Sequence, residues 1–525
     1  SNIGKSMRKN NIYQLLILLA ALVSGCASLP ENAGRTESQA YTDVSDTELA
    51  KGVAAQPEYQ NGQDGFILLG SGLDAFVARA ALADVAEKSI DVQYYLYHKD
   101  EVGALFSGVL WKAADRGVRV RLLVDDMDME GRDAGLIAFD DHPNIEIRIF
   151  NPFDRSFSRL PQFVTGLGSV TRRMHNKSFT VDNTATIIGG RNIGNEYFDA
   201  NPTLEFADLD VLAVGDIARQ VSSSFDLYWN SELAYPVTTL IEDRPSRDEI
   251  EEKISLLDHF MTEYKDSDYI AALKNSNLSK LIHEDNVTYR WGEVEIVADH
   301  PDKITSSRDA NELHLMSQLA PHFEGIRNEL FIVSPYFVPG DEGVEFFKTL
   351  VDDGVKVRIL TNSLSSNDVG VVHAGYSNYR KALLRNGVEL YEMNKKLTRA
   401  QRKEKKGMGG SSKASLHAKT FVIDREKVFI GSLNLDPRSF YENTEIGLVI
   451  HSTEIAEGMS DEMNSDIDKY AFRLELVVDD EGDESLLWHG YEDGKPVTFD
   501  VDPYTSFWRR FGVGFMGLFP IESQL

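Results

Sequence analysis

The sequence predicts an α/β chain built from two similar domains. Apolar stretches alternate in the order strand, helix, Gly, strand, which implies a parallel or mixed sheet covered by helices. That order occurs twice, with closely matching strings: "RGVRVRLLVD" from Arg116 and "DGVKVRILTN" from Asp353. A chain of 525 residues is also too long for one compact core.

The front end comes first in chain order. Met7 is followed by Arg8 and Lys9, then by the apolar run "LLILLAALV" from Leu15 to Val23, then "SGC". A basic start, a short apolar stretch and small residues describe a secretory signal. The run is too short to span a bilayer, which needs about 20 apolar residues. "SNIGKS" before Met7 reads as an expression remnant or a misassigned start. Cys26, the single cysteine, directly follows this run, and "VSGC" resembles the bacterial lipoprotein box, in which the cysteine is lipidated. Residues 1–25 are therefore expected to be remnant plus signal, and Cys26 a membrane anchor that does not insert the chain. The polar, small-residue stretch 26–64 reads as a flexible tether.

A first domain follows over 65–245. "FVARAALADVAEKS" has a helical apolar face, "IDVQYYLY" is a strand, "VGALFSGVLWKAADRG" is a helix closed by Gly117, and "VRVRLLVD" is the next strand. Residues 246–284 are charged and read as a linker helix region. The second domain, 285–485, repeats the order in "ELFIVSPYF", "DEGVEFFKTLVDDG" and "VKVRILT". Its stretch 395–413 is basic and reads either as a solvated loop or as a clamp for anionic head groups. The last segment, 486–525, mixes Phe507, Trp508, Phe511 and Phe515 with Arg509 and Arg510; it reads as a membrane-interfacial segment or as an element docked on the core.

The repeat also carries polar residues in register. "MHNKSFTVD" and "LHAKTFVID" place His175, Lys177 and Asp182 in one copy and His417, Lys419 and Asp424 in the other, with Asn192 and Asn434 at the same later offset. Residues i and i+2 of a strand share a face, so each histidine sits beside its lysine. A lone His-x-Lys on a strand is ordinarily a half-exposed edge; matched pairs inside matched domains point to a site. Lysine repels a cation and no carboxylates stand at ligand spacing, so no metal or other cofactor is expected there. Phosphate suits the set better: Lys supplies charge, Asn and backbone N–H groups supply directed donors, and His supplies a nucleophile or a proton. Two copies let one imidazole attack phosphorus while the other protonates the leaving oxygen. Asp182 and Asp424 lie too far along their strands to reach the histidines and are expected to fix the local turns.

These strings resemble the His-x-Lys-x4-Asp motif of the phospholipase D superfamily, and the chain from about residue 65 resembles its bacterial cardiolipin synthase C branch. The resemblance implies a pseudo-twofold pair of phospholipase D-like α/β/α domains, one active site at their interface, a phosphohistidine intermediate and no metal. It casts His175 as nucleophile and His417 as general acid and later base, an order the sequence does not itself rank. Lys177, Lys419, Asn192, Asn434 and Ser432 are implied on the phosphate, although Ser432 has no hydroxyl counterpart at Gly190. A carboxylate is implied behind each histidine: Glu445 in the second half, and Asp208 in the first, with Asp210 its rival.

The implied reaction makes cardiolipin from two phospholipids, phosphatidylglycerol as acceptor and phosphatidylethanolamine as donor. Hydrolysis to phosphatidic acid is the alternative, and a nuclease of the same superfamily is a third reading. Net charge is -29, with 83 acidic against 54 basic residues, which argues against nucleic acid as a partner. Phospholipids and a membrane surface are the partners expected, in the bacterial cell envelope; the need for an accessory protein stays open.

Overall fold

The computed structural model describes residues 29–516 apart from 33, 156–168, 201–203, 242, 368–369, 397–412 and 493. The first half contributes strands β1 (Asp64–Leu69), β2 (Ser89–Tyr94), β3 (Arg119–Asp125), β4 (Ile145–Phe150), β5 (Ser178–Val181), β6 (Ala185–Gly189), β7 (Leu204–Ala207), β8 (Asp210–Val214) and β9 (Ala234–Pro236). The second contributes β10 (Arg290–Ala298), β11 (Glu329–Val333), β12 (Lys356–Asn362), β13 (Glu389–Met393), β14 (Lys413–Leu416), β15 (Thr420–Ile423), β16 (Lys427–Gly431), β17 (Ile446–His451), β18 (Ala471–Val478), β19 (Glu484–Glu492) and β20 (Lys495–Phe499).

The two halves repeat strand for strand. The first runs β4-β3-β2-β5-β6-β8-β1 and the second β13-β12-β11-β15-β16-β17-β10, parallel over the first three strands and antiparallel over the rest. Pairing of β1 with β10 joins them at the centre. β2 is buried at every position, as a parallel strand covered on both faces must be. The helix Gly72–Val85 opens on Ser71, whose hydroxyl accepts from the Asp74 N–H, and Asp100 caps the helix Glu101–Asp115 in the same way. Gly117 and Gly354 end equivalent helices at φ +96° and +87°, in the left-handed region where a side chain is disfavoured.

The two halves also share a core. Ile188, Val211, Ile217 and Val221 of the first form one apolar cluster with Val422, Ile430, Leu448 and Ile455 of the second. Each such burial is worth about 1.5–3 kcal/mol, so the shared cluster favours keeping the halves together.

Three boundaries differ from the sequence reading. The expected tether is docked from residue 29 onward. Asn32 donates to the carbonyls of Glu232 and Ala234, Arg121 to that of Ser38, Arg148 to that of Thr36, and the Trp229 indole N–H to the Ser38 hydroxyl. Arg121 and Arg148 are buried, so the two guanidinium bonds are partly shielded from water. The stretch 247–283 is not a free linker but three helices laid on the first half, with Tyr269, Leu273 and Leu278 in its core. Gly108 allows this approach: a Cβ there would stand 2.2 Å from the Met261 sulfur. The second sheet runs past 485, because β19 pairs with β18 and β20 with β19. Beyond it, the helix Phe507–Met516 buries Val513 against Leu364 and Ala374, while Phe507 and Trp508 are exposed. Cys26 and nearly all of the basic stretch lie outside the described residues.

Candidate active site

Each His-x-Lys segment leaves its own half and runs beside the other. The His175 N–H donates to the Thr444 carbonyl, and the Thr444 N–H returns a bond to that of Arg173. In mirror fashion β14 pairs in parallel with β7, and the His417 N–H donates to the Ala207 carbonyl. These crossings set each imidazole against a carboxylate of the opposite half. His175 Nδ1 lies 2.8 Å from Glu445 Oε2, and His417 Nδ1 lies 2.6 Å from Asp208 Oδ2.

This corrects the pairing read from the sequence, which gave Glu445 to His417 and Asp208 to His175. Asp210, the rival, supports neither histidine; it is fully buried against Arg79 at 2.9 Å, with Arg191 at 3.5 Å. Ser432 is corrected as well. Its hydroxyl donates to Glu445 Oε2 at 2.5 Å and accepts from the Ile446 N–H, so its proton holds the carboxylate rather than a phosphate. The difference between "GGRN" and "GSLN" thereby gains a reason. A Cβ on Gly190 would stand 2.2 Å from Asp208 Oδ1, so the shorter carboxylate approaches a bare glycine where the longer one takes a serine.

Lys177 and Lys419 are buried, each with its ammonium on the backbone carbonyl of its own histidine, Lys177 at 2.5 Å. Lys419 Nζ also lies 3.1 Å from His417 Nδ1. Asn192 is committed locally, accepting from the Leu96 N–H and donating to the Tyr197 hydroxyl, whereas among the described residues Asn434 Oδ1 is buried without a hydrogen-bond partner. Asp182 and Asp424 sit at positive φ and accept the N–H groups of Lys88 and Ser89, at the start of β2, and of Asn328, just ahead of β11. They fasten turns away from the imidazoles.

Sequence reasoning missed four neighbours. Tyr95 stands edge-on to His175 with centroids 4.9 Å apart, and Tyr197 edge-on to His417 at 5.1 Å. Asp125 accepts from the Met174 N–H, and Asp299 from the Glu445 N–H. Asp125 had a signal, a carboxylate closing the apolar strand "RLLVD".

Burial pushes the His175 imidazole down to about 4, with Lys177 and Lys419 adding to it against the pull of Glu445. Burial likewise lowers His417, helped by Lys419 and Lys177. Each lysine thus bears on both histidines. Burial works against ionised Asp208 and Glu445, yet His417 holds the first well below the usual carboxylate range and His175 lowers the second. With both carboxylates ionised, each Nδ1 carries the proton and each Nε2 presents a lone pair. Burial also brings Lys177 down to about 7. The free protein should therefore show kcat/KM falling on the acid side near pH 4, as His175 is protonated, and on the alkaline side as His417, lowered by burial, loses the proton it must donate and as Lys177 loses its charge near pH 7. A pH profile checks this; an acid limb near 6.5 would mean an ordinary imidazole.

A family model described as "Cardiolipin synthase, PLD-like domain" matches residues 80–229 and 324–467, one segment over each histidine. The chain is 39% identical over 478 residues to Cardiolipin synthase C of Escherichia coli (strain K12), covering 91% of this chain and 99% of that one. It belongs to the phospholipase D superfamily, in its cardiolipin synthase-like branch. The chain is an enzyme of that superfamily, and the paired α/β/α domains are the superfamily's architecture. An uncharacterized protein of Helicobacter pylori (strain ATCC 700392 / 26695) is 31% identical over 511 residues, 94% of this chain and 96% of its own length. Among solved structures, phosphatidylserine synthase of Haemophilus influenzae Rd KW20 superposes with a TM-score of 0.53 at 16% identity, over 79% of this chain and 90% of that one, and shares the fold. Among the described residues, no helix of this family member is long and apolar enough to cross a membrane.

Proposed function

We propose that the protein is a phosphatidyl transferase that makes cardiolipin, with phosphatidylglycerol as acceptor and phosphatidylethanolamine as donor. The observation that carries the reading is the crossed pair of carboxylate-held imidazoles, each beside a buried lysine. His175 Nε2 forms a bond to phosphorus as the bond from phosphorus to the head-group oxygen breaks. His417, neutral in the free protein, takes a proton from solvent as the anionic phosphodiester binds beside it; its imidazolium, held by Asp208, gives that proton to the departing oxygen, and neutral alcohol leaves. His417 then takes the proton of the acceptor hydroxyl, whose oxygen attacks phosphorus; the phosphorus–nitrogen bond breaks and His175 is returned neutral. Lys177, Lys419 and Asn434 surround the phosphate and offset the charge that grows on its oxygens.

Hydrolysis to phosphatidic acid would share the first step. The surplus of acidic residues disfavours the nuclease reading. A lipidated Cys26 would hold the enzyme at the envelope membrane, where acceptor lipid is concentrated and water is scarce. The test is lipid mass spectrometry after expression in bacteria lacking cardiolipin, and with purified enzyme on vesicles of phosphatidylglycerol and phosphatidylethanolamine. Cardiolipin with release of ethanolamine is expected. Phosphatidic acid as sole product would make the enzyme a phospholipase.

A further inference from the structure

A second cluster of titratable side chains lies at the other end of the strand that begins beside Glu445. β17 ends at His451, about 20 Å along the strand at about 3.3 Å per residue. Its neighbour β10 carries Glu295, and the one-turn helix Ala320–Phe323 lays His322 over the same sheet face. His451 Nε2 lies 2.5 Å from Glu295 Oε1, and His322 Nε2 stands 4.0 Å from Glu295 Oε2. The three ligand atoms all fall within 4.8 Å of one another.

We propose that Glu295, His322 and His451 bind one divalent transition-metal ion of the zinc class, away from the histidine pair and independent of the transfer reaction. One carboxylate faces two imidazoles through its two oxygens, and only one of those contacts is a hydrogen bond. The His322 side chain is 11% exposed, and among the described residues its ring makes no hydrogen bond. A poorly hydrated imidazole aimed at a carboxylate from beyond hydrogen-bond reach has room for an ion between them. In a tetrahedral zinc site with bonds of about 2.0–2.2 Å, neighbouring ligand atoms are about 3.3–3.5 Å apart. His451 must therefore open and His322 close, each by side-chain torsion. Two nitrogens and one carboxylate oxygen suit zinc better than magnesium or calcium, which prefer all-oxygen shells. Glu295 and His451 are partly exposed, which leaves the fourth position to water.

Two further charges face the cluster. Glu293 pairs across the sheet with His451 on one side, and Lys427 on the other. Lys427 opposes a cation, and Glu293 favours one. The ion would tie the turn at 320–323 to the β10–β17 pair, whose far ends hold Glu445: its carbonyl accepts the Asp299 N–H and its own N–H reaches the Asp299 carboxylate.

The experiment uses untagged full chain, dialysed against chelator and then titrated with zinc sulfate, reading bound zinc per chain and thermal midpoint. About one zinc per chain and a midpoint raised by several degrees are expected. His322→Ala and Glu295→Gln should each weaken binding at least about tenfold and remove the midpoint shift. Both sites are partly exposed, and chelator-treated variants melting with the chelator-treated parent would show them folded. His175→Ala should bind zinc as the parent does. Absence of zinc at tens of micromolar, undiminished binding in both cluster variants, or loss of binding in His175→Ala would each overturn the site, and none of these bears on the transfer reaction.

Discussion

Replacing His175 with alanine should lower cardiolipin formation by about 10⁴-fold or more and eliminate any phosphorus-labelled adduct on the protein. In the proposed mechanism the neutral imidazole held by Glu445 supplies the atom that bonds phosphorus, and Lys177, tied to the His175 carbonyl, does not replace it. His417→Ala should differ in kind. The attacking group remains, but the departing alkoxide is unprotonated, so a natural donor should react very slowly. A donor with a good leaving group such as p-nitrophenol should still load His175, and the adduct should accumulate because no base is left to activate the acceptor. Denaturing gels and mass spectrometry after brief exposure to ³²P-labelled activated donor read this directly. A label on His417 in the His175 variant would reverse the two roles.

Much of this was legible in the sequence, for identifiable reasons. The two domains announced themselves because strands and helices leave periodic traces, and because "RGVRVRLLVD" and "DGVKVRILTN" fold into the equivalent strands β3 and β12. The histidines, lysines and asparagines were visible as repeated offsets. The pairing of carboxylates was not. Glu445 lies 270 residues from His175, and Asp208 lies 209 from His417, so neither bond leaves a local signal. Alignment of the repeats suggests partners within one half, yet the exchange happens because residues 173–175 and β14 each run beside the other half. The docked N-terminal stretch failed to show for a similar reason. Its polar composition resembles a tether, while the bonds that pin it come from the buried Arg121 and Arg148, donors to its backbone carbonyls. Backbone acceptors have no composition. Tyr95 and Tyr197 carry no sequence signal of their own, and only their placement against the two imidazoles distinguishes them.

Exchange of carboxylates makes each half incomplete. A single domain would carry a histidine and a lysine without the group that fixes the imidazole's tautomer, and a carboxylate with nothing to orient. The crossing therefore depends on the shared core of Ile188, Val211, Ile430 and Leu448, which holds the two halves together. The two supports are also unequal: Asp208 meets its histidine across bare Gly190, whereas Glu445 needs the Ser432 hydroxyl.

The sharpest consequence is that each carboxylate variant should imitate the histidine of the opposite half. Glu445→Gln keeps the volume but supplies either an amide N–H or a weaker acceptor to His175 Nδ1, so the imidazole loses its enforced tautomer and Nε2 no longer presents a lone pair reliably. The loss expected in adduct formation is on the order of 10²–10⁴-fold, and an activated donor should not restore it, because the attacking atom itself is impaired. Asp208→Asn weakens the imidazolium of His417 instead. Natural donors should suffer by a similar factor, while the p-nitrophenyl donor should load His175 at nearly the parental rate and leave the adduct standing. Stopped-flow release of p-nitrophenol, with the adduct counted in parallel, separates the two. Were Glu445→Gln rescued by the activated donor and Asp208→Asn not, each carboxylate would serve the histidine of its own half, and the crossed arrangement could not be the working one. Ser432→Ala offers a graded check: with the hydroxyl gone, Glu445 keeps its charge but loses a donor, so adduct formation should fall by about tenfold and step with the first variant rather than the second.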